Sequence, residues 1–288
     1  MRQKKLLFVG FGDIATRASH HFLADGFKVT GIARSKREVP EGVVYWRGAV
    51  TDGHLAGQLA RESFDVAMVT LTPDGQRESD YERAYVTTSD YLLNLWQRAE
   101  QAPGLVIFVS SSSVYSQNSG EWVDEASPAE ARTPSAQHLL AAEALWLYSP
   151  LNTCVLRFSG IYGPGRDFLL RQVAAGKGGP RENSPCTNRI HVDDCVGVIQ
   201  HLCQRYWAGK PLEPIYLASD MTPAPAWQVR SWLAEQMGFG PEHLRETPTS
   251  AGAGSKRCRN ARLLSTGYQF QYPDYRSGYL PLLAEFKV

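Results

Sequence analysis

The sequence has almost no net charge and no long run of like charges. Its 288 residues hold 30 lysines and arginines against 29 aspartates and glutamates, a formal charge of +1. Proteins that bind nucleic acid or acidic membranes through bulk electrostatics usually carry a clear basic excess. We therefore expect neither nucleic acid nor a membrane as a partner, and instead a small-molecule substrate held by a specific site.

Cysteine is scarce and lacks any pairing pattern. The chain has five cysteines, an odd number, and they are widely spaced with no C-x-x-C pair. A zinc site or a redox dithiol would need closer spacing, so we expect free thiols and a reducing compartment. The apolar run in the opening "MRQKKLLFVGFG" is too short for a signal peptide or a membrane span, which favours a cytoplasmic protein.

What the chain does have is an alternation of apolar runs with helix-length amphipathic segments. Runs such as "KLLFVG", "FKVTGIAR", "FDVAMVTLT" and "GLVIFVSSS" are apolar almost throughout, which is typical of strands covered by helices on both faces. This pattern predicts an α/β fold with a doubly wound parallel sheet. Later segments, including the low-complexity "PTSAGAGS", are rich in Gly, Pro and Ser, and loops of that length often line a site.

A glycine-rich turn follows the first predicted strand. "VGFGDIA" places Gly10, Gly12 and Ala15 in a G-x-G-x-x-A spacing that opens a helix. The first glycine permits a tight turn, the second lets the backbone approach a pyrophosphate, and the small third residue allows close helix packing. In this context the turn predicts dinucleotide binding, and a merely structural turn is the alternative.

The end of the second predicted strand bears on which dinucleotide binds. An acidic residue there would bond the ribose 2′-hydroxyl of NAD, but the sequence reads "GIARSKR". Arg34 and Ser35, with Lys36 or Arg37, could bind the extra phosphate of NADP. This favours NADP over NAD as the cofactor, and a solvated basic turn is the alternative.

Six motifs follow one another along the chain: "GFGDIA", "FVSSSSVYSQ", "LRFSGIYGPGR", "RIHVDDCVGVI", "IYLASD" and "KRCRNARLLSTGYQFQYPDYRSGY". In this order they resemble the extended short-chain dehydrogenase/reductase superfamily of the NAD-dependent epimerase/dehydratase type, especially its small bacterial atypical branch. The resemblance implies a Rossmann domain over residues 1–160, extended by segments near 189–217, and a smaller α+β substrate-binding region over 161–288. We also expect Asp13, Ile14, Leu71 and Thr72 to bind the cofactor.

The resemblance further implies a catalytic Tyr-x-x-x-Lys pair, which this chain lacks. In the family, a small residue and a Glu follow three and four residues after the Lys, and here these are the "AE" at residues 142–143. Counting back puts Leu139 at the Lys position and Ser135 at the Tyr position. A lysine lowers the pKa of its tyrosine for acid–base work, so the usual proton donor is missing. The family's supporting Asn-Val pair is likewise replaced, by Tyr85 and Val86.

Other residues are candidates for the acid–base role of the missing Tyr-Lys pair. Ser111 stands four residues before Tyr115, where the family keeps a Ser or Thr that helps to hold the reacting oxygen, although this serine run could only cap loops. His138 can titrate near neutral pH, and Tyr115 lies close in sequence. A surface histidine and a packing tyrosine are the alternatives. We expect Arg166 and Arg189 to bind an anionic group of the substrate.

No metal is expected. His191, Asp193 and Asp194 lack a further ligand at metal spacing, and the resemblance treats "HVDD" as a motif that begins a helix.

Two functions remain open. The first is an NADP-preferring oxidoreductase or epimerase acting on a small polar or nucleotide-sugar-like substrate. The second is a non-catalytic NADP(H)-binding redox sensor or interaction protein. A homodimer through two long helices, Tyr81–Gln101 and Ser135–Tyr148, is expected in the family style.

Overall fold

A computed structural model describes residues 2–248 and 254–287, so most of the "PTSAGAGS" tract lies outside the described residues. The strands are β1 Lys5–Val9, β2 Lys28–Ala33, β3 Val43–Arg47, β4 Val66–Val69, β5 Leu105–Ser111, β6 Glu121–Val123, β7 Thr153–Phe158, β8 Gly160–Tyr162, β9 Lys177–Gly179, β10 Cys186–Thr187, β11 Arg189–His191, β12 Ile215–Ala218, β13 Ala224–Pro225, β14 Arg245–Glu246 and β15 Lys256–Cys258.

Ten α-helices are interleaved with these strands in the described part of the chain. They are α1 Asp13–Ala24, α2 Gly53–Arg61, α3 Glu78–Tyr81, α4 Thr88–Arg98, α5 Pro134–Leu147, α6 Phe168–Ala174, α7 Val192–Trp207, α8 Ala226–Gln236, α9 Ala261–Ser265 and α10 Tyr275–Glu285. A π-helical segment, Glu82–Thr87, joins α3 to α4, and a short 3₁₀ turn, Ser112–Val114, follows β5.

Seven strands form one sheet in the order β12-β7-β5-β4-β1-β2-β3. The pairs among its first five strands in the chain are parallel, and β4 is buried along its whole length, as expected for a strand with both faces covered. The strand order reverses between β1 and β4, which creates the crevice where open α/β sheets bind ligands. The predicted Rossmann-type doubly wound sheet is therefore confirmed.

The chain divides into two compact units. The first unit comprises residues 1–114, 129–157 and 196–216, and it holds most of the large sheet. The second unit comprises residues 115–128, 158–195 and 217–288. Residues 115–128 thus cluster with the second unit although they precede residue 160 in the chain.

The second unit is built from short strand pairs and helices around its own core. Strands β8 and β11 pair in parallel, as do β6 and β15, and α6, α8 and α10 pack on a cluster that includes Leu170, Val229 and Tyr275. Membrane spanning would require a longer and more apolar helix than any that the described residues form.

Candidate functional site

The turn after β1 requires glycine at its first position. Gly10 has φ +93°, and a Cβ added there would lie 2.1 Å from the Thr70 carbonyl oxygen. Its N–H donates to the Ile32 carbonyl at 3.0 Å, and the Thr70 hydroxyl donates to the Gly10 carbonyl at 2.6 Å. A side chain at residue 10 would therefore clash with backbone and occupy a disfavoured region of φ.

The second glycine of the turn is different, because it faces open space. A Cβ added at Gly12 would have no atom of the protein within 4 Å. Gly12 is the N-cap of α1 with φ −103°, a conformation that any residue can adopt. Just beyond it, Ala15 is fully buried. The open side at Gly12 adjoins the positive end of the α1 dipole, where N–H groups of the first turn suit an anion.

These features border a cavity of about 430 Å³ in the first unit, formed at the carboxyl ends of β1, β2 and β4. Six of the residues predicted to bind a cofactor line it: Gly10, Gly12, Arg34, Ser35, Leu71 and Thr72. Asp13 and Ile14 open α1 but do not line the cavity. The Asp13 carboxylate instead accepts a hydrogen bond from Arg17 at 2.9 Å, one turn along the same helix.

The basic side of this cavity has partners that the sequence did not indicate. Arg34 is about half exposed and forms an ion pair with Asp74, and its Nη2 donates to the Thr72 carbonyl at 3.4 Å. Arg83, on the π-helical segment, also lines the cavity and pairs with Asp80 at 2.5 Å. The guanidinium groups are thus oriented, and each already has a carboxylate partner.

Ser111 and His138 do not line this cavity. Ser111 ends β5, and its Oγ accepts a hydrogen bond from the Ser113 N–H at 3.1 Å, a local turn contact. His138 lies on α5 with its Nε2 at 3.5 Å from a Glu78 carboxylate oxygen.

The α5 helix carries a buried ion pair one turn beyond Leu139. Thr133 caps the helix by accepting from the Ala136 N–H at 3.3 Å, and Leu139 is buried. Glu143 is 1% exposed and contacts Arg157 at 2.5 Å and 3.0 Å, while Ser110 also donates to it. The "AE" glutamate is therefore a buried counterion, and Arg157 is satisfied within the core of the first unit.

Tyr115, in the second unit, has its hydroxyl engaged. The side chain is buried, and its OH donates to the Asp124 carbonyl at 2.8 Å. Lys256 donates from Nζ to the Tyr115 carbonyl at 3.0 Å. These contacts are those of a packing tyrosine.

The second unit contains its own cavity, of about 500 Å³. Both arginines predicted to bind a substrate anion, Arg166 and Arg189, line it. They are joined by Arg230 of α8 and by Tyr162 and Tyr279, whose rings stack with centroids 4.5 Å apart. The sequence did not indicate Arg230 as a site residue, because no recognisable motif surrounds it in α8.

Two aspartates of the second unit, Asp194 and Asp220, are buried. Asp194 accepts hydrogen bonds from the Tyr268 hydroxyl at 2.8 Å and from the N–H groups of Gln271 and Tyr272 at 2.8 and 2.9 Å. Burial raises the pKa of Asp220 to about 7, and the Arg189 charge opposes that shift only in part. Among the described residues, no group of three His, Cys, Asp or Glu side chains forms a candidate metal site.

Comparisons with known proteins agree with this geometry. The model of the NAD dependent epimerase/dehydratase family matches residues 10–217. A structure from Methylobacillus flagellatus, described as an NAD-dependent epimerase/dehydratase, is 33% identical, with 98% of each chain covered and a TM-score of 0.81.

More distant structures share the fold. MoeE5, solved with UDP-glucose and NAD, is 23% identical with a TM-score of 0.79 and 97% of each chain covered. Human epimerase family protein SDR39U1, solved with NADPH, is 18% identical with a TM-score of 0.77, over 98% of this chain and 100% of that one. A search of curated proteins returned no match.

Proposed function

The chain belongs to the NAD-dependent epimerase/dehydratase family, and on that premise we propose that its first unit binds a nicotinamide dinucleotide, NADP(H) in preference to NAD(H). We further propose that the protein is an oxidoreductase or epimerase acting on a small polar or nucleotide-sugar-like substrate. The observation that carries the binding proposal is the open side of Gly12 in the same cavity as Arg34 and Ser35.

The residues of the cavity fit the dinucleotide. Gly12 leaves room for a pyrophosphate at the N-terminus of α1, because a ligand oxygen could approach the backbone there without meeting a side chain. Arg34 and Ser35 supply a guanidinium and a hydroxyl at the end of β2, where the 2′-phosphate of NADP would lie. Arg37 lines the same cavity and adds a second cation.

The cofactor, when bound, supplies hydride chemistry, while the chain supplies binding, orientation and the handling of a proton. Ser111 and His138 are our candidates in the first unit. His138 is our candidate for moving the proton, whereas Ser111 could orient a reacting oxygen. Tyr115 is the weakest candidate, because its hydroxyl donates to a backbone carbonyl.

A second function, binding without turnover, is favoured by one observation. The positions that the family resemblance assigns to the Tyr and Lys hold Ser135 and Leu139, and Leu139 is buried. A protein of that kind would bind NADPH but would not oxidise it with any carbonyl substrate. Absorbance at 340 nm, followed over a panel of aldehydes, ketones and nucleotide sugars, separates the two functions.

Fluorescence titration with NADPH and NADH tests the binding proposal. We expect NADPH to bind the wild type at least about tenfold more tightly than NADH, since one charge-assisted contact contributes about that factor. Arg34→Ala should bring the two affinities close together. Arg98→Ala, an exposed arginine at the end of α4 and outside the cavity, should leave both unchanged. Equal affinities in the wild type would refute the preference for NADP(H).

A further inference from the structure

Apolar and basic side chains both line the cavity of the second unit. The apolar ones include Ile161, Leu169 and Val229, together with Phe168, which is 73% exposed. The basic ones are Arg166, Arg189 and Arg230. Ligand sites that combine apolar walls with a few placed polar groups usually bind organic molecules in one orientation.

Arg189 is the most buried of the three arginines. Its side chain lies at the start of β11, and the residue is only 6% exposed. Its Nη2 donates to the hydroxyl and the carbonyl of Thr187, but its Nη1 is buried without a hydrogen-bond partner among the described residues. A buried, charged donor without an acceptor is costly, so such a group is expected where a ligand supplies the acceptor.

Arg230 is held in place without being neutralised. Its Nη1 donates to the Lys177 carbonyl and its Nη2 to the Gln172 amide oxygen, each at 2.8 Å. Both acceptors are neutral. Partial burial lowers the pKa of Arg230 from its very high ordinary value, which still leaves the guanidinium charged near neutral pH. This group is therefore an oriented cation facing a cavity.

The nearby carboxylates do not cancel these charges. In the described part of the chain, neither Arg189 nor Arg230 forms an ion pair with Asp or Glu. Asp220 acts on Arg189 electrostatically, but its pKa of about 7 means that much of it is protonated at neutral pH. Asp194 is already occupied by three donors. The cavity thus has a surplus of positive charge.

Of the two stacked tyrosines, Tyr279 adds a neutral donor, whereas the Tyr162 hydroxyl already donates to the Asp274 carbonyl at 3.4 Å. Burial raises the pKa of Tyr279 to about 12, so this phenol keeps its proton. A phenol can donate to a ligand oxygen while its ring covers an apolar surface.

We propose that the cavity of the second unit binds an organic anion, with a carboxylate or phosphate head group on Arg189 and Arg230 and an apolar body against Ile161, Leu169 and Phe168. That this anion is the substrate rests on the proposed function and replaces its nucleotide-sugar-like substrate with an organic acid, whereas the binding site itself does not depend on that function. An acyl or aryl acid matches this lining better than a nucleotide sugar, whose hydroxyl groups would face apolar side chains.

Isothermal titration calorimetry of the full chain without dinucleotide tests the proposal. The probes are phenylacetate and phenyl phosphate, the neutral phenylacetamide, and inorganic phosphate. We expect at least one aryl anion to bind at least about tenfold more tightly than both phenylacetamide and inorganic phosphate. Whichever of phenylacetate and phenyl phosphate binds with the lower Kd shows whether the site prefers a carboxylate or a phosphate head group. Equal affinity for phenylacetamide would overturn the role of charge, and equal affinity for inorganic phosphate would overturn the role of the apolar body.

Three arginine variants localise the site. Arg230→Gln and the charge-conserving Arg189→Lys should each weaken the aryl anion by about tenfold, since each removes a fixed donor. Arg181→Gln is the matched control, because Arg181 is an exposed arginine of the same unit that pairs with Glu246 and lies outside the cavity. Unchanged binding in both Arg230→Gln and Arg189→Lys would overturn the assignment. Circular dichroism establishes that each variant is folded.

The two proposals fail separately. Arg230→Gln should bind NADPH as the wild type does, and Arg34→Ala should bind the aryl anion as the wild type does. A wild-type protein that binds the aryl anion but not NADPH would count against the first-unit site. A wild-type protein that binds NADPH but not the aryl anion would count against the second-unit site.

Discussion

The two cavities are both basic, but they hold their arginines in opposite ways. In the first unit, Arg34 and Arg83 are exposed and paired with aspartates. In the second unit, Arg189 and Arg230 are more buried, and their hydrogen bonds go to neutral acceptors. An exposed ion pair contributes little to the stability of the fold and is easily replaced by another ion, whereas a buried charge that forms no ion pair destabilises the folded protein. This difference is the basis for our two proposals, an exchanging cofactor in the first cavity and a specific organic anion in the second.

The largest expected effect contrasts a paired buried arginine with an unpaired one. Arg157→Met should lower the free energy of unfolding by about 3 to 5 kcal/mol, because it leaves Glu143 buried and uncompensated. Arg189→Met should cost about 1 kcal/mol or less, since it removes a charge that forms no ion pair and whose hydrogen bonds go only to Thr187. Urea denaturation of both variants checks this. Equal losses would mean that Arg189 is as fully satisfied as Arg157.

A second contrast separates the two glycines of the first cavity. Gly10→Ala should destabilise the fold by about 2 kcal/mol or more, because of its positive φ and the contact with the Thr70 carbonyl. Gly12→Val should leave the melting temperature nearly unchanged but weaken NADPH at least about hundredfold, since its side chain fills the space for the pyrophosphate. Thermal melts and NADPH titrations are the measurements. Normal NADPH binding by Gly12→Val would place the dinucleotide elsewhere.

A pH dependence should appear in the second unit. Asp220 has a folded-state pKa of about 7 against an ordinary value of 3.8, so the folded state holds the proton more tightly than the unfolded state. Stability should therefore fall as pH rises from about 4 to about 7, by an amount on the order of 4 kcal/mol for this group, and stay lower above that range. Asp220→Asn should flatten this dependence. Identical slopes of unfolding free energy against pH in the two proteins would count against a raised pKa.

The smallest expected effect concerns the exposed Arg34–Asp74 ion pair of the first cavity. Asp74→Asn should tighten NADPH by about twofold to fivefold and leave NADH unchanged, because the 2′-phosphate no longer competes with a carboxylate for Arg34. Asp25→Asn, at the C-cap of α1, is a control carboxylate outside the cavity. Weaker NADPH binding in Asp74→Asn would show that Asp74 orients Arg34 for the ligand instead of competing with it.

The features that could be predicted from the sequence are those that depend on local sequence pattern. The sheet and the glycine turn follow from local pattern, because buried parallel strands are apolar on both faces and the turn must open a helix. Arg34, Ser35, Leu71 and Thr72 line the first cavity because they follow strands whose carboxyl ends meet there.

Other features depend on long-range packing that no local pattern encodes. Asp74 meets Arg34 across 40 positions, and Arg230 reaches its cavity from a helix without a motif. The buried environment of Glu143 and the raised pKa of Asp220 arise from the same kind of packing.

A crystal structure of the protein grown with NADPH tests the central claim most directly. We expect the pyrophosphate within hydrogen-bond distance of the backbone at Gly12, and the 2′-phosphate on Arg34 with Asp74 released from its ion pair. The same structure would show which protonatable side chain lies nearest to the nicotinamide. A dinucleotide bound away from Gly12, or a 2′-phosphate that makes no contact with Arg34, would contradict the account.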